Sequence, residues 1–289
     1  MKISATTGLC AVIGDPVEHS LSPAIHNSAF DACNLDMVYT AFHVNKGGLE
    51  GALAGVRSLG IRGLSVTIPH KVDILPFLDS VEPLARRVGS VNTVTNRDGH
   101  LSGLSTDGPG ALRALEAKQV EAAGKSILLL GSGGAARAIA FALADLSPAP
   151  KLRILGIERD ELRQLAEDLV ESSEAPVQWA ILDRDGIAAG LEEAEIVVHA
   201  TPVGMAPKIE DSLIPEGMLR SDQVVFDAVY TPFETKLLRI AREAGAGVVP
   251  GLGMFVQQAA IQFELWTGKK APVDVMTETV RRALAGRTA

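Results

Sequence analysis

Several stretches carry side chains whose types and spacing could do chemistry. In GLSVTIPHK, Gly63 to Lys71, a lysine stands two residues beyond Pro69. An ammonium there is either a solvated charge or a group aimed at a substrate. If aimed, it can donate a proton and stabilise a developing anion. In EHSLSPAIHN, Ser20 and Ser22 stand at a helix start. Free backbone N–H groups and the positive end of the dipole make such a start comfortable for a carboxylate. Ser22 can accept from a backbone N–H as a cap and still donate its hydroxyl to a ligand. Asn92 in GSVNTV, Asp107 in GLSTDG, and Gln258 on the stripe of Met254, Ile261 and Leu265 add two amides and a carboxylate. An amide in a strand or on an apolar stripe needs a partner, which is either buried backbone or a ligand.

A second group suits a pyrophosphate. SILLLGSGGAARAIA sets Gly131, Gly133 and Gly134 between a strand and a helix. Such glycines permit a tight turn and close backbone approach, and the helix N-terminus binds anions. The spacing is GxGGxxxA rather than GxGxxG, so the flanking strands and helix supply the argument for a dinucleotide. A glycine turn that binds nothing, or a methyltransferase of similar topology, shares the pattern. Glu158 follows about 25 residues after the loop, where a carboxylate accepts from an adenosine ribose and disfavours a 2′-phosphate. Arg159 beside it has the opposite preference; Glu158 alone leans toward NAD over NADP.

These residues need elements to hold them. In GLSVTIPHK, Leu64, Val66 and Ile68 alternate with Ser65, Thr67 and Pro69. That period predicts a half-buried strand, apolar on one face and hydroxylated on the other, ended by Pro69. LCAVIG and MVYTAFHV read as strands. SPAIHNSAFDAC reads as a helix with Ser22 as N-cap and Pro23 at its first position. SVNTVTNRDGHLSGLS reads as a hairpin about Asp98-Gly99, with Asn92 in its first strand and Asp107 at the end of its second. From about residue 125 the style changes. SILLLG, LRILGI, VQWAIL, EIVVHA, VVFDAV and AGVVPG are continuous apolar runs, the early ones separated by helical patterns. This is the signature of a parallel, doubly wound sheet. Residues 201–222 read as an irregular loop with a helical turn.

Composition narrows the class. The chain has 289 residues, 47% of them apolar and only 4% aromatic, which suits α/β architecture. A net charge of −8 argues against nucleic acid or an anionic membrane as partner. Cys10 and Cys33 are the only cysteines and are expected to be buried free thiols in a reducing compartment. No basic segment followed by a long apolar run opens the chain, so no signal peptide and a cytoplasmic location are expected. The six histidines lack ligand spacing, and no metal is expected.

Taken together, GDPVEHSLSPAIHN, GLSVTIPHK, GSVNTV, STDGPG, GSGGAARA, ATPVGM, DAVYTP and GLGMFVQQAAIQFELWTG occur in one order along nearly the whole chain. In these motifs the sequence resembles the shikimate dehydrogenase family, including its quinate/shikimate branch. The resemblance implies an α/β substrate domain over residues 1–107 with returning helices over 253–289. It implies a Rossmann-like cofactor domain over 108–252, and this two-domain layout predicts a cleft that closes to exclude water around the nicotinamide. By position, Ser20 and Ser22 would bind the substrate carboxylate. Ser65, Thr67, Asn92 and Gln258 would surround its ring hydroxyls, with Tyr230 beside them. Lys71 and Asp107 would form the catalytic pair. Gly131, Gly133, Gly134 and Ala135 would cradle the pyrophosphate of NADP or NAD, with Glu158, Arg159 and Gly253 completing the cofactor site.

The implied reaction is reversible reduction of 3-dehydroshikimate to shikimate, a step of aromatic amino-acid biosynthesis. Hydride arrival makes an alkoxide, which needs a proton and nearby positive charge. Three departures from the family pattern stand out. The usual asparagine of NVTxPxK is Ser65, as in the plant-type branch. NTD reads STD, with Ser105. The NRT of NADP-using members reads Glu158, Arg159, Asp160. A quinate dehydrogenase using NAD in quinate catabolism, and a non-catalytic cofactor-binding paralogue, are the alternatives. A homodimer is left open.

Overall fold

The structure, a computed structural model, describes residues 3–286. The chain divides into two units, Met1–Thr106 with Val256–Ala289, and Asp107–Phe255.

The first unit holds strands β1 (Gly8–Gly14), β2 (Met37–His43), β3 (Gly63–Val66), β4 (Ser80–Val81), β5 (Thr93–Arg97) and β6 (His100–Leu104). They form one sheet in the order β2-β1-β3-β5-β6-β4. β1 pairs in parallel with β2 and β3, whereas β5 runs antiparallel to β3 and β6. The helices are α1 (Ser22–Ala32), α2 (Leu49–Ser58), α3 (His70–Asp73), α4 (Pro83–Val88) and, from the end of the chain, α11 (Val273–Ala285). Leu49, Leu53 and Val56 of α2 close over Ala11, Ile13, Leu64, Val66 and Val94 of the sheet.

β3 departs from the expected half-buried strand. It is central, all four of its residues are buried, and it stops at Val66, ahead of Pro69. Its hydroxyl-bearing face is covered by protein instead of water. Gly63 lies under the Trp266 indole, and Ser65 bonds Tyr39 and Gln262. The hairpin forms as expected: Asp98 (φ 52°) and Gly99 (φ 88°) are both left-handed, as a tight primed turn requires. Asn92, however, lies just before β5, and Asp107 opens the next helix rather than ending β6. In α1, Leu21 takes the cap position and supplies no side-chain bond, and Ser22 is the first helical residue. Cys10 is buried but Cys33 only partly so, and both are free thiols.

The second unit is a six-stranded sheet of β7 (Ser126–Leu130), β8 (Lys151–Gly156), β9 (Val177–Ile181), β10 (Ile196–His199), β11 (Val224–Asp227) and β12 (Gly247–Pro250). Every pairing is parallel and the order is β12-β11-β10-β7-β8-β9. Counted from β7, this is the dinucleotide-fold order 3-2-1-4-5-6, with its switch point between β7 and β10. Helices α5 (Asp107–Glu116), α6 (Gly134–Ala144), α7 (Arg159–Ser172), α8 (Arg184–Glu193) and α9 (Lys236–Glu243) accompany it. Leu128, Val197 and Val225 pack under Ile187 and Leu191 of α8 and Leu237 and Ile240 of α9. Apolar strands covered by such helices are why these runs lack polar alternation. Residues 201–222 contain turns but no helix. The boundary between the units falls inside α10 (Gly251–Thr267).

Candidate functional site

In the first unit, strand direction gathers the candidate residues. β1 and β3 are parallel, so the segments after Gly14 and Val66 leave by the same edge. β5 is antiparallel to β3, so its entry, after Asn92, lies at that edge too, as does the exit of β6 at Leu104. Ser20, Ser22, Thr67, Lys71, Asn92 and Thr106 therefore share one edge of the sheet. Ser65 is one step inside it, paired with Thr93. Hydrogen bonds fix this edge: Val66 N donates to Asn92 O at 2.8 Å, Val91 N to Lys71 O at 2.8 Å, and His70 N to Thr67 O at 2.9 Å. Lys71 is the second residue of α3 and half-buried. His70 beneath it is fully buried and holds Val44 O through Nε2 at 2.6 Å, an anchoring role. Ser20 Oγ accepts from Ser22 N at 3.2 Å. The Ser22 side chain also bonds the Tyr39 phenol, whose pKa burial holds above its ordinary value.

Two residues of this unit were invisible as site candidates. Tyr39 and Gln262 are 2% and 1% exposed and bond each side of Ser65. The buried stripe of α10 is Val256, Ala259, Ala260, Phe263 and Trp266, and Gln262 sits beside it. Gln258 lies on the half-buried stripe with Ile261 and Leu265. A glutamine among buried apolar neighbours is the signal that points to position 262.

In the second unit the parallel strands all end at one edge, which carries Gly131, Glu158, Thr201, Tyr230 and Gly251. Gly131 (φ +118°) is required there: an added Cβ would lie 2.7 Å from Ala200 O. Gly133 caps α6 and Gly134 opens it, with no side-chain cap bond. Beyond its chain neighbours and the backbone of α6, no protein atom lies within 4 Å of the place a Cβ would take on Gly134, and only Glu161 lies that near for Gly133. These two glycines answer no packing demand. They and exposed Ala135 leave uncapped N–H groups with room for a pyrophosphate, so the loop fits a dinucleotide. Glu158 is exposed at the N-cap of α7 with no side-chain cap bond, and exposed Arg159 follows it. Gly253 lies within α10 beside Ala114. Gly251 is the sterically demanding glycine, with Val229 O 2.5 Å from its would-be Cβ. Tyr230 stacks on Phe255 at 4.7 Å.

A buried polar group closes the same edge at the strand ends. His199 Nδ1 meets Asp227 Oδ1 at 2.8 Å and its Nε2 meets Thr201 Oγ1 at 2.5 Å. Asp227 Oδ2 accepts from Thr235 Oγ1 at 2.5 Å. Thr201 packs toward Gly131. This ties the loop after β10 to the glycine turn at the switch point. Asp107 belongs to this unit as the first residue of α5. Among the described residues no three His, Cys, Asp or Glu side chains come together as a metal site. No helix there is long and apolar enough to cross a membrane.

Comparison with known proteins decides the family. Residues 12–94 match the shikimate dehydrogenase substrate binding domain, and 251–281 match the shikimate 5′-dehydrogenase C-terminal domain. The chain is 45% identical to the shikimate dehydrogenase (NADP(+)) of Moorella thermoacetica, over 98% of this chain and 96% of that protein. The chain belongs to the shikimate dehydrogenase family. Its fold superposes on the shikimate 5-dehydrogenase of Listeria monocytogenes, solved with shikimate and NAD. The TM-score is 0.93 at 37% identity, covering 97% of this chain and 98% of that one. The quinate dehydrogenase of Corynebacterium glutamicum, solved with NAD, gives 0.88 at 31% identity, covering 96% and 99%. As for other shikimate dehydrogenases, the architecture is the two-domain, Rossmann-like α/β fold.

Proposed function

We propose that this chain interconverts 3-dehydroshikimate and shikimate with a nicotinamide dinucleotide, Lys71 and Asp107 serving as the catalytic pair. Family membership at 45% identity over nearly the whole chain supports the reaction class. The observation that carries the site reading is the edge of the first sheet, where Ser20, Ser22, Thr67, Lys71 and Asn92 converge from three separate segments.

Gly131, Gly133, Gly134 and Ala135 would hold the pyrophosphate of a nicotinamide dinucleotide, which would supply hydride transfer, and Gly253 stands further along the same unit. The protein supplies the rest. Ser20 and Ser22 take the substrate carboxylate with their hydroxyls at the positive end of α1. Ser65, Thr67, Asn92, Gln258 and Tyr230 face the ring and fix which carbon is presented. Lys71 gives a proton to the oxygen that becomes an alkoxide and stabilises its charge as it forms. In the reverse direction it takes that proton back. Glu158, exposed at the N-cap of α7, favours NAD, while Arg159 beside it tolerates a 2′-phosphate.

Initial rates with shikimate and quinate, each against NAD and NADP, test this reading. It predicts the largest kcat/KM with shikimate, and a ratio for NAD over NADP that falls in Glu158→Ala. A preference for quinate would move the assignment to that branch. No turnover of either acid, with intact dinucleotide binding, would replace the enzyme by a binding paralogue.

A further inference from the structure

We propose that Gln262 is a positioning residue that fixes, from α10, the hydrogen-bond polarity of Ser65 and Asn92. The inference rests on the substrate-site reading above, in which those two side chains face the substrate ring.

Gln262 is 1% exposed, and both ends of its amide are committed. Its Oε1 accepts from Ser65 Oγ at 2.8 Å and faces His26 Nε2 at 3.3 Å. Its Nε2 donates to Thr93 Oγ1 at 2.9 Å and reaches Asn92 O at 3.4 Å. A serine has one proton. Ser65 spends it on Gln262, and Tyr39 donates onto the same oxygen at 2.7 Å. Ser65 is therefore left with acceptor capacity only.

On the other side, Thr93 Oγ1 accepts from Gln262 Nε2 and donates its own O–H to Asn92 Oδ1 at 2.8 Å. Thr106 N donates to the same Oδ1 at 2.8 Å, and Asn92 Nδ2 donates to Thr106 Oγ1 at 3.0 Å. The Asn92 amide is thereby held in one of its two flip states.

A leucine at 262 would satisfy the apolar stripe of α10. The glutamine places a buried amide there, a costly choice unless its partners are worth fixing. Those partners lead to two proposed substrate contacts on β3 and before β5. His26 marks the same polarity. With Nε2 turned to Gln262, its buried Nδ1 has no partner. That orphan is tolerated in exchange for the bond to the amide.

The test separates positioning from packing through Thr93. Thr93→Val keeps the shape and removes the relay; Thr93→Ser keeps the hydroxyl and loses a buried methyl. Steady-state KM for shikimate, KM for the dinucleotide, kcat and Tm are measured for both, and for Gln262→Met. Loss of one such bond is expected to raise the shikimate KM of Thr93→Val about five- to tenfold, with the dinucleotide KM unchanged. Thr93→Ser is expected to lower Tm while its shikimate KM stays within about twofold of wild type. Gln262→Met should behave as Thr93→Val or worse; if it does not fold, the Thr93 pair decides. Equal shikimate KM values for Thr93→Val and Thr93→Ser would overturn the positioning role. A wild-type chain inactive on shikimate would instead contradict the substrate reading.

Discussion

His26 offers a sharp test of how the first unit is held together. The imidazole is fully buried, stacked on Tyr39 at 4.5 Å and 5.1 Å from the Trp266 ring. Burial pushes its pKa from 6.5 down to about 3, against a smaller upward pull from Gln262. Between those values the unfolded chain binds a proton that the folded chain refuses, so stability falls as pH drops below about 6.5. Each pH unit in that window is worth about 1.4 kcal/mol. Pre-equilibrated at pH 5, wild type should therefore lose about 2 kcal/mol relative to pH 8 from this group alone. The figure is insensitive to the folded pKa so long as that lies well below 5.

His26→Leu removes the titration. Carboxylates with lowered pKa, such as Asp79 and Asp168, lose stability on acidification in both proteins and cancel in the difference. The assay is urea unfolding followed by tryptophan fluorescence in a Trp179→Phe background, leaving Trp266 as the reporter of this unit. The expected result is a pH 8 to pH 5 loss about 2 kcal/mol larger with His26 than with Leu. Equal losses would mean that the imidazole is protonated inside the fold, and the network assigned to Gln262 would lose its neutral donor.

Two further substitutions probe close backbone approach. Gly63→Ala would drive a Cβ into the Trp266 indole, whose Nε1 donates to Val94 O at 3.0 Å. The indole must leave, and the expected cost, read by urea unfolding, is about 3 kcal/mol. Gly131→Ala strains a φ of +118° and meets Ala200 O. Dinucleotide affinity, read by calorimetry, should fall by at least about tenfold while shikimate affinity holds.

Much of the second unit was legible in the sequence because periodicity and burial agree there. The apolar runs from SILLLG to AGVVPG each became a parallel strand, and the glycine turn fell between β7 and α6 as its spacing implied. The first unit was harder. Ser65 and Thr67 alternate with apolar residues, which reads as a wetted face. Only the return of α10, nearly two hundred residues later in sequence, buries that face under Trp266 and Gln262. Long-range cover of this kind leaves no local trace. Ser22 misled for a related reason: its type suits a cap, but its side chain turns to Tyr39, a partner set by tertiary packing. The His199–Asp227–Thr201 group was missed because Asp227 is far in sequence from His199 and Thr201 and meets them only when β10 and β11 pair.

The most direct test of the whole account is kcat for shikimate oxidation by Lys71→Met, followed by dinucleotide reduction. Loss of a group that stabilises the transition state predicts a fall in kcat of about a hundredfold or more with a modest change in KM. A kcat near the wild-type value would make Lys71 an ordinary charge on α3 and remove the chemistry from the edge to which it is assigned here.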